Sequence, residues 1–247
     1  MSHLTTHNLS IGYSPEKVLI SEIDLDLIPG KLVGLVGQNG VGKSTLIRTL
    51  CGLHPKLSGS IELDDQQIEA YTPKEMAKKI SVVLTGRPEA LNLSVIELIA
   101  LGRFPYSGWL GTLRSEDKQM VEESMTQMEI NYLATKKLFE LSDGQLQKVM
   151  IARALAQDTD YIILDEPTSH LDLKNKIEVL ELLKRIAGSG KGILISTHEI
   201  QLASGVCHEY WCVDFGKEML TGAPADLIKN GDLHRYLHLP EHLKIPL

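Results

Sequence analysis

A glycine-rich segment near the N-terminus has the residues and spacing of a loop that binds phosphate. Gly40 and Gly42 let backbone amides turn towards phosphate oxygens, Lys43 supplies a mobile charge, and Ser44 supplies a hydroxyl for Mg²⁺. The pattern predicts binding of a nucleoside triphosphate and leaves GTPases, kinases and transport ATPases open. The candidate phosphate-binding residues are Gly37, Gln38, Asn39, Gly40, Val41, Gly42, Lys43, Ser44 and Thr45.

Two adjacent carboxylates, Asp165 and Glu166, follow the apolar run Tyr161–Leu164. Because side chains alternate along a strand, the two carboxylates are expected to point in different directions. Asp165 can then reach a Mg²⁺ held by Ser44, while Glu166 is free to polarise a water aimed at the γ-phosphorus. This division of roles predicts hydrolysis, and a solvated acidic turn is the alternative interpretation.

Short apolar runs are expected to position these groups as buried strands. The runs are Leu32–Val36, Tyr161–Leu164 and Gly192–Ile195, and each is followed by polar residues and a helical pattern. Continuous apolar runs of this length are typical of parallel strands that are buried on both faces. Because ligands of a parallel sheet bind beyond the carboxyl ends of its strands, the candidate groups are expected at one edge of an α/β core.

The middle of the chain has a helical pattern. From about Ser94 to Ala156 there is no convincing buried strand, whereas Val121, Met125 and Met128 share one face of a helix that an acidic turn opens. We therefore predict an α-helical lobe inserted into the α/β core.

Composition restricts the class of protein. The chain has 247 residues, 43% of them hydrophobic, and a formal net charge of -7, which suits one large domain and argues against a dedicated nucleic-acid binder. Its three cysteines suit a reduced cytosolic protein. The N-terminus lacks the pattern of a secretory signal, and no apolar run approaches the roughly 20 residues that cross a bilayer. Any membrane role is therefore expected to be peripheral.

The pentapeptide from Leu141 to Gln145 lies between the phosphate loop and the two carboxylates. Ser142 and Gln145 have the spacing of a helix capping box, which is a purely local explanation. The order of phosphate loop, pentapeptide, paired carboxylates and His198 nevertheless resembles the ABC ATPase family over nearly the whole chain. That family usually has Leu-Ser-Gly-Gly-Gln here, so Asp143 replaces a glycine and brings a carboxylate towards the expected γ-phosphate.

The resemblance implies ATP and Mg²⁺ as cofactors and a homodimer that sandwiches ATP head to tail. Ser142, Gly144 and Gln145 would bind the ATP held by the other subunit, and the loop beginning at Ser169 would link the two sites. It also implies a P-loop NTPase core with a parallel sheet, an N-terminal antiparallel β subdomain and the helical lobe. The expected boundaries are 1–85 and 157–225 for the core, 86–156 for the lobe and 226–247 for a C-terminal helical extension.

Individual roles also follow from the resemblance. Glu166, His198 and Lys43 would be catalytic, and Ser44 and Asp165 would hold the metal. Tyr13 would stack on adenine, although a core tyrosine is the alternative. A lone histidine at the position of His198 often has no catalytic role. Thr85 stands where the family normally has a glutamine that couples hydrolysis to movement of the lobe.

The segment from Ser94 to Tyr106 resembles ATPases that serve importers of iron-siderophores, haem or cobalamin. Leu98 and Leu101 are expected to pack internally, and Arg103, Phe104 and Tyr106 to form a partner surface. The implied partners are membrane permease subunits and, indirectly, a substrate-binding protein, with the chain on the cytoplasmic side of the inner membrane. Two alternatives stay open: a non-transport ABC ATPase of repair, translation or cofactor assembly, and a regulatory ATP-binding module with suppressed turnover.

Overall fold

A central six-stranded sheet carries the candidate site. The computed structural model describes residues 3–86, 88, 92–108, 112–169 and 171–238. The strands run in the order β10-β9-β3-β8-β7-β6, and all neighbours pair in parallel except β10 with β9. They are β3 (Leu32–Gly37), β6 (Ile80–Val83), β7 (Tyr161–Leu164), β8 (Gly192–Thr197), β9 (Glu209–Val213) and β10 (Leu220–Gly222).

Both faces of this sheet are buried. Side chains alternate along β3, so that Leu32 and Val36 pack in one apolar core while Val33 and Leu35 pack in another. Burial on both faces explains why the strand is apolar throughout. The α/β core that the apolar runs predict is confirmed.

An antiparallel sheet forms one wall of the second core. Its strands are ordered β2-β1-β4-β5, and their bounds are β1 (Leu4–Ser14), β2 (Lys17–Leu27), β4 (Ser58–Leu63) and β5 (Gln66–Gln67). The pairing of β1 with β2 has register shifts, and Asn8 and Glu22 have positive φ angles. These irregularities let Leu4, Leu9 and Ile11 all face the core although their spacing is uneven.

Helical segments separate β6 from β7 in the chain, as predicted. The α-helices there are α3 (Val95–Ala100), α4 (Ser115–Gln127) and α5 (Asp143–Ala156), with 3₁₀ turns at Leu101–Tyr106, Asn131–Leu133 and Leu138–Glu140. Val121, Met125 and Met128 are buried. The 3₁₀ turn at Leu101–Tyr106 packs closely on α5, because a Cβ at Gly102 would lie 2.4 Å from the carbonyl oxygen of Arg153. The helices therefore pack against one face of the central sheet and share an apolar core with it.

The remaining helices connect the strands or follow them. They are α1 (Lys43–Leu50), α2 (Pro73–Met76), α6 (Leu173–Gly188), α7 (Ile200–Ser204), α8 (Pro224–Lys229) and α9 (Asp232–Tyr236), and a 3₁₀ turn covers Ile68–Ala70. Of the predicted C-terminal extension, residues 239–247 lie outside the described residues. None of the helices that the structure describes combines the length and apolarity that a membrane span requires.

Arg103 is buried, so its predicted place on a partner surface is wrong. Its guanidinium donates from Nε to Asp117 Oδ1 over 2.9 Å and from Nη1 to the Ala156 carbonyl oxygen over 2.8 Å. Asp117 Oδ2 also accepts the backbone N–H of Arg114. This backbone hydrogen bond and the Arg103 guanidinium hold the pKa of Asp117 below its usual range. The pair joins the 3₁₀ turn to α4 and α5.

We expect Arg103→Ala to lower the free energy of unfolding by about 3–5 kcal/mol, because it leaves a buried carboxylate without its cation. Since the pKa of Asp117 is depressed in the folded state, its contribution is present above the usual aspartate range and is lost as the pH falls through the folded pKa. The deficit of the variant should therefore shrink in acid. Urea unfolding measures it, with the exposed ion pair of Arg235 as control: a loss no larger than that of Arg235→Ala, under about 1 kcal/mol, would contradict the prediction.

Candidate functional site

The phosphate loop connects the end of β3 to the start of α1. Gly42 is the N-cap of α1 and has a φ of 115°, a left-handed conformation that side chains rarely adopt. Because glycine has no side chain, Gly42 cannot cap the first amides of α1 itself. The amides of Lys43, Ser44 and Thr45 thus lie at the positive end of a helix, where an anion is favourable.

Lys43 is buried within the loop that it belongs to. Its Nζ donates to the carbonyl oxygens of Gly37 at 2.8 Å and Gln38 at 3.0 Å. Burial lowers the pKa of Lys43, and the nearby charges of Glu166 and Asp165 partly offset this effect. The ammonium of Lys43 is therefore desolvated and bonded only to neutral carbonyl oxygens. A bound phosphate can replace these acceptors with negatively charged oxygens, which form stronger hydrogen bonds.

Asp165 is buried at the end of β7 and is held by two hydroxyl groups. Thr85 Oγ1 donates to Asp165 Oδ2 over 3.3 Å, and Ser196 Oγ donates to Asp165 Oδ1 over 2.6 Å. The Ser196 hydroxyl also accepts the backbone N–H of Glu166 at 2.8 Å. Each carboxylate oxygen is therefore oriented by a separate element of the fold.

Glu166 has a left-handed backbone, with a φ of 49°. Such a conformation costs a residue with a side chain about 1–3 kcal/mol, and it is often stored at functional sites. It turns Glu166 away from the strand direction, so that its side chain is 27% exposed while Asp165 is 2% exposed. The two carboxylates thus differ in exposure, whereas the sequence predicts a difference in direction.

These groups share one cleft of about 590 Å³. The cleft brings together Ser44 from α1, Thr85 beyond β6, and the two carboxylates beyond β7. Asp143, at the start of α5, lines the same cleft. The resemblance implies a carboxylate near the γ-phosphate at Asp143, and in this structure Asp143 lines the cleft of its own chain together with Ser44.

His198 lies beyond the carboxyl end of β8, next to Glu166. Its Nδ1 is 3.8 Å from Glu166 Oε1, and its Nε2 is 3.9 Å from Glu199 Oε1. Lys176 forms an ion pair with Glu199. With its side chain half exposed, His198 is accessible to a phosphate or water beside Glu166.

Ser142 caps α5, which corresponds to the local interpretation of its motif. Its hydroxyl accepts the N–H of Gln145 at 3.3 Å, and Gln145 Oε1 accepts the N–H of Ser142 at 3.1 Å. Ser142, Gly144 and Gln145, all described, lie outside the lining of the cleft. Ser142 is exposed, so its surface is accessible to another molecule. Asp172 likewise caps α6.

Tyr13 is not a core tyrosine, because it is 63% exposed. Its ring meets the ring of His54 edge to face at a centroid distance of 6.2 Å, and Lys17 Nζ lies 5.1 Å from its centroid. His54 Nε2 in turn lies 3.0 Å from the Gly12 carbonyl oxygen. The aromatic face is therefore held in place at the surface, as a stacking role requires.

A second cavity, a groove of about 810 Å³, separates the α1–β4 loop from the 3₁₀ turn that follows α3. Leu53, Leu101 and Phe104 line it and are exposed. The expected internal packing of Leu101 is therefore wrong, whereas Leu98 is buried as predicted. Leu101 is the first residue of the 3₁₀ turn, beyond the end of α3 at Ala100. We refer to this cavity as the apolar groove.

Sequence reasoning missed Ser196, which contacts both carboxylate residues. Its signal was available: Ser196 is a polar residue between the apolar run Gly192–Ile195 and His198. A serine in a strand buried on both faces needs a hydrogen-bond partner. Only the order of the strands shows that this partner is Asp165.

Comparisons with known proteins agree on one family. The model of the ABC transporter family matches residues 20–169. A petrobactin import ATP-binding protein of Bacillus subtilis (strain 168) is 38% identical over 88% of this chain and 86% of its own length. The ferric enterobactin transport ATP-binding protein of Escherichia coli (strain K12) is 32% identical over 92% and 84%. A solved structure described as an ABC transporter of metal-chelate type, in an inward-facing conformation, superposes with a TM-score of 0.84 at 28% identity, covering 97% of this chain and 90% of its own.

Proposed function

The chain belongs to the ABC transporter family as one of its ATP-binding proteins, and from this premise we propose that it hydrolyses Mg-ATP to power import through a membrane permease. The observation that carries the proposal is the cleft in which Ser44, Asp165 and Glu166 meet beside the phosphate loop. An ATP-hydrolysis assay on the purified chain, with and without Mg²⁺, tests it. Absence of Mg-dependent hydrolysis both alone and with the permease would overturn it.

The residues of the cleft fit Mg²⁺. A hydroxyl from Ser44 and a carboxylate from Asp165 are hard oxygen donors of the kind that this ion prefers. Within the described residues no group of three or more His, Cys, Asp or Glu side chains could hold a metal. This set therefore suits an ion that is held in part by substrate phosphates. When bound, Mg²⁺ would neutralise charge on the phosphate oxygens.

The proposed hydrolysis assigns a role to each of these residues. Lys43 and the amides at the start of α1 bind the phosphates. Glu166 accepts a proton from the water that attacks the γ-phosphorus, while the bond from phosphorus to the bridging oxygen of ADP breaks. His198, beside Glu166, orients the water or donates to the γ-phosphate. The products are ADP and inorganic phosphate.

We propose that the complete site needs two chains. Ser142, Gly144 and Gln145 are not among the residues that line the cleft of their own chain, and the exposed start of α5 suits an anion held by a second copy. Head-to-tail pairing would thus close each phosphate loop with the partner's α5, and hydrolysis would release the pair. Tyr13 would stack on the adenine.

The apolar groove is the proposed docking site for the permease. It lies between the nucleotide core and the helical segment, and it exposes Leu53, Leu101 and Phe104. Exposed apolar side chains in a concave surface favour a protein partner. Such a partner would sense movement of the helices against the core, and the chain would work at the cytoplasmic face of the inner membrane.

We expect Phe104→Asp to reduce recovery of the permease by at least tenfold, because a carboxylate would be desolvated at an apolar contact. Detergent-solubilised membranes of the source cells are passed over the tagged chain, and the recovered integral-membrane subunit is quantified by mass spectrometry. Tyr132→Asp is the matched control, since Tyr132 is an equally exposed aromatic residue, at 70% against 71%. Equal recovery with both variants would exclude the groove as the docking site.

The proposed cargo is a metal chelate of the iron-siderophore, haem or cobalamin type, delivered by a substrate-binding protein. Two of the relatives are a petrobactin import protein and a ferric enterobactin transport protein, which supports this class. They also favour transport over repair, translation or cofactor assembly. Transport assays with radiolabelled iron chelates in cells with and without the chain would test the cargo.

A further inference from the structure

Ser196 is the one polar side chain that contacts both carboxylate residues among the hydrogen bonds of the described chain. It is fully buried in β8. Its hydroxyl donates to Asp165 Oδ1 over 2.6 Å and accepts the N–H of Glu166 over 2.8 Å. A hydroxyl has one proton to donate, so this proton is committed to Asp165 while the lone pairs serve Glu166.

We propose that Ser196 is a positioning residue that sets the metal-holding geometry of Asp165 and the backbone conformation of Glu166 together. This inference rests on the proposed Mg-ATP hydrolysis. On this proposal, the hydroxyl of Ser196 orients Asp165 so that it can hold the metal. The same hydroxyl orients Glu166 so that it can accept a proton from water.

The argument for Asp165 is its hydrogen bonding. Its Oδ1 accepts the short bond from Ser196, whereas its Oδ2 accepts a longer bond, 3.3 Å, from Thr85. Ser196 lies in the middle of the central sheet, between β3 and β7, while Thr85 lies in the segment that leads to the helices. One oxygen of the carboxylate is therefore held by a strand in the middle of the central sheet, and the other by the segment that leads from the sheet to the helices.

The argument for Glu166 is its backbone. A left-handed residue with a side chain persists only where its surroundings hold it. The hydrogen bond from the Glu166 N–H to Ser196 Oγ fixes the peptide that precedes this residue. The carbonyl oxygen of Glu166 accepts from the N–H and the hydroxyl of Ser169. The strained residue is thus held on both sides, and Ser196 supplies the contact from β8.

The experiment uses Ser196→Ala in the full chain, with Ser81→Ala as matched control. Ser81 is also a fully buried serine of the central sheet, but its hydroxyl bonds to Thr159 and the Tyr161 carbonyl, away from the carboxylates. Mn²⁺ is titrated in the presence of AMP-PNP, and free Mn²⁺ is followed by electron paramagnetic resonance. We expect Ser196→Ala to weaken Mn²⁺ binding and to lower kcat, each about 10- to 100-fold, and Ser81→Ala to change neither by more than twofold.

Two further variants keep the test decisive if Ser196→Ala fails to fold. Ser196→Thr retains the hydroxyl, and Ser196→Cys retains the volume with longer, weaker hydrogen bonds. We expect Mn²⁺ affinity near that of wild type for threonine and clearly lower for cysteine. Equal affinities for these two, or wild-type Mn²⁺ affinity in Ser196→Ala, would reduce Ser196 to a packing residue. Wild-type protein that neither binds Mn²⁺ with nucleotide nor hydrolyses ATP would instead overturn the proposed function.

Discussion

Glu166→Gln is expected to lower kcat for ATP hydrolysis by at least about 100-fold, because a general base contributes roughly 10²–10⁴-fold and an amide cannot accept the proton. Glutamine has the shape of glutamate, so it preserves the left-handed turn and its backbone hydrogen bond to Ser196. ATP affinity should therefore stay within about threefold of wild type, in the pattern expected when only transition-state stabilisation is lost. Phosphate release and equilibrium nucleotide binding measure the two effects.

The same variant tests the dimer. If ATP joins two chains and hydrolysis separates them, Glu166→Gln with Mg-ATP should elute from size-exclusion chromatography at twice the mass of the chain. Glu122→Gln is a suitable control, since Glu122 is an exposed glutamate on α4. A monomeric Glu166→Gln protein, under conditions in which wild type binds ATP, would count against the proposed sandwich. Retained turnover would count against Glu166 as the base.

Lys43→Ala should weaken ATP binding about 10- to 100-fold. Hydrogen bonds to charged groups contribute roughly 1.5–3 kcal/mol each, and the ammonium of Lys43 is already desolvated beside the loop. The substitution also leaves the carbonyl oxygens of Gly37 and Gln38 without this donor, so part of the loss comes from a less ordered loop. Isothermal titration with a non-hydrolysable ATP analogue gives the affinity.

Lys118→Ala is the control for charge alone, because Lys118 is an exposed lysine on α4. Its ATP affinity should match that of wild type within twofold. If Lys43→Ala binds ATP as tightly as Lys118→Ala, then the phosphate-loop assignment is wrong. Lys43→Met, which keeps the length of the side chain, separates loss of charge from loss of volume.

Apolar patterning predicts the central strands well but does not predict the register of the antiparallel sheet. In β1, the bulge around Asn8 shifts the alternation of side chains, so that Leu4 and Leu9 face the same core from positions of opposite parity. A period of two cannot anticipate such an insertion. The change from α-helix to 3₁₀ turn after Ala100 is likewise not visible in the apolar pattern, and there Leu101 is exposed and Arg103 is buried, the reverse of the expected environments.

The candidate site also contains residues that the sequence predicts and contacts that it does not predict. Motif spacing predicts Lys43, Asp165 and Glu166, because these roles depend on what directly follows β3 and β7. The contacts of Thr85 and Ser196 with Asp165 span 80 and 31 residues. These contacts depend on the spatial order β8-β7-β6, which places three strand ends side by side. The apolar pattern of a single sequence predicts where the strands are, but it does not directly predict their order in the sheet.

The Ser142 cap has a consequence for how two chains can part. On the proposed mechanism the start of α5 faces the γ-phosphate of the other chain, and phosphate then satisfies its backbone amides. Once phosphate leaves, the Ser142 hydroxyl takes over the N–H of Gln145, as in this structure, and a cap of this type stabilises a helix by about 1 kcal/mol. The helix end thus has an acceptor whether or not a neighbour is present. Separation exposes no frayed turn, so repeated cycles of association need not melt and rebuild the surface that meets the nucleotide.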